Sequence, residues 1–200
     1  MPEPPPIPSN PSPGLSPEHR AQIVAARRLS GKLRAAAAVA AVDGWTLGVF
    51  AVLTILFSLT SPVALALGAG MLAVSYFELR GARDLKRLDP RAPRLLTLNQ
   101  FALGAMLFVY GAINLWLSLH EAHPMASMAG QNPELESMLL PYEGLVRNIS
   151  ALFYAMVMLV ALVEPGLMAL YYHRRGKVLQ AYLQTTPQWI LELQRAGMSV

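Results

Sequence analysis

Two carboxyl groups, those of Asp43 and Glu164, lie inside long apolar stretches of this chain. Asp43 follows the start of the first stretch by seven residues, and Glu164 precedes the end of the fourth by eight. If these stretches cross a membrane in opposite directions, both carboxyls lie at one level, about 6 Å from the midplane at about 1.5 Å per residue. An ionised carboxylate in hydrocarbon costs on the order of 3 kcal/mol, so such groups face the protein interior and take partners or stay protonated.

Further polar side chains fall at a similar depth in the other two apolar stretches. The predicted intramembrane site comprises Asp43, Glu164, Glu78, Asn99, Gln100 and Tyr76. In one interpretation these residues form a network that fixes helix packing and register, which is the common use of intramembrane polar residues. In the other, Asp43 and Glu164 share a proton or bind a cation in a pocket open to the cytoplasm, with space opened by a kink at Pro165.

A second candidate site lies in the segment between the third and fourth apolar stretches. Imidazoles three residues apart can meet at a helix end, and thioethers suit soft copper(I). The weak candidate ligands are His120, His123, Met125 and Met128. The sequence HEAH lacks the HExxH spacing of zinc proteases, so the favoured interpretation is a polar boundary with incidental methionines and no metal or other cofactor.

Catalysis is the least favoured class of function for this chain. The absence of cysteine excludes disulfides, thiolate metal sites and cysteine nucleophiles. No serine elbow or phosphate-binding loop is present, and none of the four histidines lies deep in an apolar stretch, which argues against haem.

The composition of the chain indicates which secondary-structure elements hold these candidate residues in place. The chain has 200 residues, of which 54% are hydrophobic and only 14% charged, and its mean hydropathy is +0.39. Its apolar residues form four blocks, each long enough to cross about 30 Å of hydrocarbon as a helix. We therefore expect an all-α integral membrane protein, a four-transmembrane-helix bundle with amphipathic cytoplasmic N- and C-terminal helices. The predicted spans are 36–58, 62–79, 95–119 and 149–172, with an outer loop at 120–148.

The distribution of basic residues predicts the orientation. All of the 16 Lys and Arg residues except Arg147 lie before the first span, between the second and third, or after the fourth. Because basic residues near helix ends are retained in the cytoplasm, both termini are expected on that side of a bacterial-type inner (plasma) membrane. The net charge of +4 then needs no nucleic-acid partner, and the same basic clusters can attract anionic lipid headgroups.

The regions outside the spans are expected to differ in character. Residues 1–15 form a proline-rich disordered tail, and 16–35 form a basic interfacial helix that begins with Ser16 as cap and Pro17 in the first turn. The transmembrane domain covers 36–175. In the amphipathic tail, 176–200, a helix restarts at Thr186-Pro187 and places three apolar residues as an interfacial anchor, namely Trp189, Ile190 and Leu193.

Small residues mark the faces where helices can approach one another. Three such pairs occur, namely Gly44 with Gly48, Ala66 with Gly70, and Gly104 with Gly111. We expect them to serve packing within one bundle rather than a specific dimer. The favoured function is a non-enzymatic accessory, scaffold or interaction protein, with lipids and a membrane-protein partner or a second copy as its contacts. The alternative is a small proton- or cation-coupled carrier or sensor that uses the intramembrane carboxyls.

Overall fold

The computed structural model describes residues 16–57, 61–120, 134, 138 and 140–195. Within these residues the chain is helical and contains no strand. Four helices are long and apolar enough to cross a membrane, in agreement with the predicted number of spans. The helices are α1 (Pro17–Phe57), α2 (Pro62–Lys86), α3 (Ala92–His120), α4 (Glu143–Thr185) and α5 (Gln188–Arg195), with a 3₁₀ turn at Leu140–Tyr142.

The helix ends follow local side-chain chemistry. α1 begins at Pro17, where the sequence predicts a helix start, and the Ser16 hydroxyl accepts a hydrogen bond from the His19 amide at 3.2 Å. Ser61 caps α2 in the same way, accepting from the Ala64 amide at 3.3 Å. α4 ends at an extended Thr186, and Pro187 precedes α5. α4 starts six residues before the predicted span 149–172, so part of the predicted outer loop is helical.

Consecutive long helices run antiparallel, as the contacts of their glycines show. On α1, Gly44 lies against Glu78 and Leu79 of α2, and Gly48 lies against Ser75. Gly70 of α2 contacts Met106 of α3. The closest pairs are α1 with α2 and α3 with α4; α2 and α3 join the two pairs, and α1 meets α4 less extensively.

The small-residue faces lie at helix contacts with one exception. Gly104 packs against Ala161 and Pro165, and Gly111 packs against Met158, so both face α4 as expected. Ala66 is exposed instead. Its place in the α1–α2 contact is taken by Gly68, because that residue lies on the face that meets α1.

The main apolar core lies at one end of the helix array, which we call the basic end. It is built from residues 26–40 of α1, the last turns of α2, the first turns of α3, the last third of α4, and α5. Its buried members include Leu33, Ala36, Leu85, Leu96, Tyr172, Leu179, Tyr182, Ile190 and Leu191. Toward the opposite end, large apolar side chains such as Trp45, Phe57, Trp116 and Leu159 are exposed, as expected for helices surrounded by hydrocarbon.

Of the three residues predicted as a surface anchor, Ile190 is buried in the protein instead, whereas Trp189 and Leu193 are half-buried. Ile190 is fully buried and Leu191 nearly so, and both belong to the core of the basic end. The Trp189 ring meets the His19 ring edge-on at 5.6 Å, and the Tyr182 hydroxyl donates to Gln194 Oε1 at 2.7 Å. The correction has a simple cause: apolar stripes on α1 and α4 continue past the spans and offer α5 a protein surface to cover.

Leu88 ends α2 in an unusual backbone conformation. Its φ of 60° lies in the left-handed region, where glycine is normally found after a helix. The Leu88 amide donates to the Leu85 carbonyl at 3.1 Å and the Asp89 amide to the Asp84 carbonyl at 3.0 Å, which is the Schellman pattern. Leucine is retained there at a conformational cost because its side chain is buried in the core of the basic end.

Candidate functional site

Each of the four long helices contributes polar side chains to one buried cluster, which we call the polar layer. Its members are Asp43 from α1, Glu78 from α2, Asn99 and Gln100 from α3, and Tyr172 from α4. Glu78, Gln100 and Tyr172 are 0% exposed, Asn99 is 6% exposed, and Asp43 is half-buried. The structure thus brings together four of the six residues of the predicted intramembrane site.

The amide of Gln100 joins carboxyl groups from two different helices. Its Nε2 donates to Asp43 Oδ2 at 2.9 Å and to Glu78 Oε1 at 3.2 Å. Because one nitrogen serves both carboxyls, α1, α2 and α3 are connected through a single side chain.

Asn99 provides the second amide of the polar layer. Its Nδ2 donates to Glu78 Oε2 at 2.6 Å and to the Val74 carbonyl at 2.9 Å. Both oxygens of Glu78 therefore accept hydrogen bonds from neutral amides. One turn away, the Ser75 hydroxyl donates to the Gly44 carbonyl at 2.6 Å and ties α2 to α1.

Two polar atoms within the layer are buried and make no hydrogen bond, namely Gln100 Oε1 and the Tyr172 hydroxyl. The Tyr172 hydroxyl lies beside the Glu78 carboxyl without reaching hydrogen-bonding geometry. A buried carbonyl oxygen is satisfied only by a donor or a cation, and most buried polar groups in proteins do have such a partner. A water molecule, a carboxyl proton or a small cation could fill this role.

Glu164, which one of the two interpretations paired with Asp43, is not a member of the hydrogen-bonded polar layer. The face of α4 that packs inward carries Ala161, Pro165, Ala169 and Tyr172, which are spaced three or four residues apart. Glu164 directly precedes Pro165 and is therefore rotated about 100° away from that face, where it is exposed. The predicted depths of Asp43 and Glu164 along their helices agree, but the two side chains point in different directions.

Tyr76 also lies outside the polar layer, since its side chain is 55% exposed. Tyr172 is the layer residue that sequence reasoning missed. Its inward position could have been found from the small residues Ala161, Pro165 and Ala169, which recur every four residues and mark the packed face of α4.

Pro165 lies within α4 and packs directly on α3. Proline has no amide hydrogen, so the carbonyl of Ala161 loses its helical hydrogen bond. That carbonyl faces Gly104, where an added Cβ would lie 2.8 Å from the oxygen and 3.2 Å from the Cβ of Pro165. The two backbones therefore meet closely at this point, and the contact sets the rotation of α4.

A shallow apolar groove opens beside the layer between α1 and α4. It has a volume of about 420 Å³, and its only ionisable lining residue in the described chain is Asp43. The half-buried carboxyl of Asp43 is thus reached from the side of the helix array rather than from either end. The groove is lined by Ala38, Val39, Val42, Asp43, Thr46 and Met168.

Of the four weak candidate metal ligands, His120 lies within the described residues. His120 Nδ1 donates to the Trp116 carbonyl at 2.8 Å, and its ring stacks on Trp116 with centroids 4.7 Å apart. His123, Met125 and Met128 lie outside the described residues. Among the residues that the structure describes, no three His, Asp or Glu side chains come close enough to hold a metal ion together.

No match is found for this chain among models of known protein families, characterised proteins or solved structures.

Proposed function

We propose that this chain is a small integral protein of a bacterial-type inner membrane, inserted as a four-helix bundle with both termini in the cytoplasm. Four apolar helices of sufficient length support insertion. The concentration of Lys and Arg before α1, around the α2–α3 link and after the predicted fourth span supports the orientation. The basic face of α1, which carries the exposed Arg27, Arg28 and Lys32, then lies next to lipid headgroups.

The function that the geometry supports best is that of a non-enzymatic accessory, scaffold or interaction protein. The polar layer carries this proposal, because two neutral amides from α3 satisfy both oxygens of Glu78 and one oxygen of Asp43. Hydrogen bonds between membrane helices contribute about 0.6 kcal/mol each on average and up to about 1.7 kcal/mol. A network of this kind defines helix register and holds an apolar outer surface in a fixed shape for lipids, a second copy or another membrane protein.

A specific observation favours the carrier or sensor as the second candidate. Gln100 Oε1 and the Tyr172 hydroxyl are buried without hydrogen bonds next to two carboxyls, and the groove gives access to Asp43. In this version Asp43 acts together with Glu78 rather than with Glu164. A carrier or sensor of this kind would take up a proton or a small cation at the two carboxyls.

One experiment separates the two candidates. D43N and E78Q, singly and together, are compared with the parent for thermal stability in detergent across pH and with Na⁺, K⁺ or choline as the only added cation. E164Q is the matched control for the loss of an intramembrane carboxyl outside the polar layer. Because the charges of Glu164 and Asp43 interact, E164Q is also combined with D43N, and an effect of D43N that persists in this background belongs to the polar layer. A scaffold network predicts that D43N and E78Q lower stability by similar amounts at every pH and with every cation.

A different pattern would favour the carrier or sensor. In that case the parent depends on pH or on one cation, the double variant loses this dependence, and Y172F weakens the response. If neither variant differs from E164Q under any condition, the polar layer has no role in stability or binding, and both candidates fail.

A further inference from the structure

A second cavity, of about 390 Å³, lies at the basic end between the α2–α3 link, the start of α3 and the last third of α4. We call it the basic cavity. Three of its lining residues are cationic or can become so, namely Arg94, His173 and Lys177. The remaining lining residues are Pro90, Pro93, Thr97, Leu98, Gly176 and Gln180, so no acidic residue lines it within the described chain.

The walls of this cavity are fixed by backbone packing. Pro93 packs against Gly176, where an added Cβ would lie 3.3 Å from the Cβ of the proline. The Thr97 hydroxyl donates to the Pro93 carbonyl at 2.8 Å and so holds the first turn of α3. The three basic side chains project from these walls and are exposed, which leaves their charged groups available.

The depth of the cavity matches the boundary between headgroups and hydrocarbon. Arg94 immediately precedes the predicted span 95–119, and His173 immediately follows the span 149–172. Leu98 lies one turn deeper than Arg94 and supplies an apolar wall on the membrane side. A ligand in this position would meet positive charge on the aqueous side and an apolar surface below it.

We propose that the basic cavity binds the phosphate-bearing headgroup of an anionic phospholipid of the cytoplasmic leaflet. Arg94 and Lys177 supply charge-assisted hydrogen bonds to the phosphate oxygens, and the Gln180 amide adds a polar contact at the rim. The acyl chains run along Leu98 toward the hydrocarbon. This proposal rests on the membrane insertion and orientation proposed above.

The test uses the full-length chain purified in a neutral detergent. Phosphatidylglycerol, cardiolipin, phosphatidylcholine and inorganic phosphate are added separately, and the retained lipid is counted by native mass spectrometry alongside the thermal midpoint. R94Q/K177Q removes two charges from the cavity. R91Q/R174Q is the matched control, because each of its residues lies three positions from its counterpart, is exposed, and does not line the cavity.

We expect the parent and R91Q/R174Q to retain an anionic lipid and to gain thermal stability from it, with little effect of phosphatidylcholine. R94Q/K177Q should bind the anionic lipid roughly 100-fold more weakly, since each charge-assisted hydrogen bond to the phosphate contributes on the order of tenfold. Equal losses in the two double variants would mean diffuse attraction and would overturn the proposal. Stabilisation by inorganic phosphate alone would overturn the assignment to a lipid.

Failure of this site can be told apart from failure of membrane insertion. Insertion and orientation are read from membrane fractionation and from cysteine labelling, which do not involve the basic cavity. A chain that inserts with both termini inside, keeps its unliganded stability in R94Q/K177Q, and shows no preference for anionic lipid contradicts only the headgroup site.

Discussion

The side chain of Gln100 donates hydrogen bonds to carboxyl groups on two different helices. Replacing it with alanine removes the hydrogen bonds to Asp43 and Glu78 and leaves one half-buried and one buried carboxyl with fewer donors. From the average and maximum strength of such bonds between membrane helices, we expect Q100A to lower the free energy of unfolding by about 1–3 kcal/mol.

The measurement is unfolding by a denaturing detergent in mixed micelles. Q22A is the control, because Gln22 is exposed on α1 and lies outside the polar layer. In the D43N/E78Q background Q100A should cost less than in the parent, since its partners have changed. An equal cost in both backgrounds would show that Gln100 stabilises the protein by packing alone.

Leu88 provides a second test at the scale of one residue. Both L88A and L88G remove a buried side chain, with an expected loss of about 2–5 kcal/mol. Only glycine also relieves the left-handed backbone, so L88G should be more stable than L88A by about 1 kcal/mol.

The sign of this difference is unusual and therefore informative. At an exposed helical position such as Ala35, glycine should instead be less stable than alanine by about 1 kcal/mol. Both pairs are compared by the same unfolding titration. If L88G is the less stable of the two variants at position 88, the Schellman end of α2 does not form as described.

At the scale of the helices, the contact between α3 and α4 determines which side chains belong to the polar layer. Gly104 meets the Ala161 carbonyl and the Pro165 ring, and these backbone and ring atoms cannot move aside as a flexible side chain can. G104A should therefore cost about 1–3 kcal/mol through overpacking. G104A should also reduce the contribution of Tyr172 to stability, because a shift of α4 moves Tyr172 relative to Glu78.

G166A is the matched control for this prediction. Gly166 lies beside Pro165 on the same helix, and a Cβ there meets nothing within 4 Å. Alanine should be neutral at this position or stabilise by up to about 1 kcal/mol through helix propensity. The thermal stabilities of purified G104A and G166A are compared. Similar values would contradict close backbone packing at Gly104.

For the whole molecule, the absence of cysteine permits a clean test of topology. Single cysteines are placed in the α2–α3 link with R91C, in the outer loop with S127C, and near the C-terminus with S199C. A membrane-impermeant maleimide should label only S127C in intact cells, whereas all three should be labelled after permeabilisation. The positive-inside distribution of charge is the reason for this expectation.

Labelling of R91C or S199C in intact cells would reverse the proposed orientation. Labelling of all three in intact cells, together with recovery in the soluble fraction, would contradict insertion itself. A cysteine-free parent serves as the blank in every arm.

The chain sequence by itself determined the number of long helices and several of their ends. Helix length and apolar composition are properties of consecutive residues, so four long apolar helices could be counted directly. Local caps at Ser16, Ser61 and Thr186 likewise depend on neighbouring residues. Depth along a helix is also local, because each residue adds a constant rise, and this placed Asp43, Glu78, Asn99 and Gln100 near one level.

Only the tertiary structure decided which side chains meet at that level. The rotation of a helix about its axis is set by contacts with its neighbours, and for α4 the close contact of Pro165 with Gly104 turns Tyr172 inward and Glu164 outward. The docking of α5 through Ile190 depends in the same way on surfaces distant in sequence. Asp43 thus has a place in a buried network beside Glu78, whereas Glu164 does not.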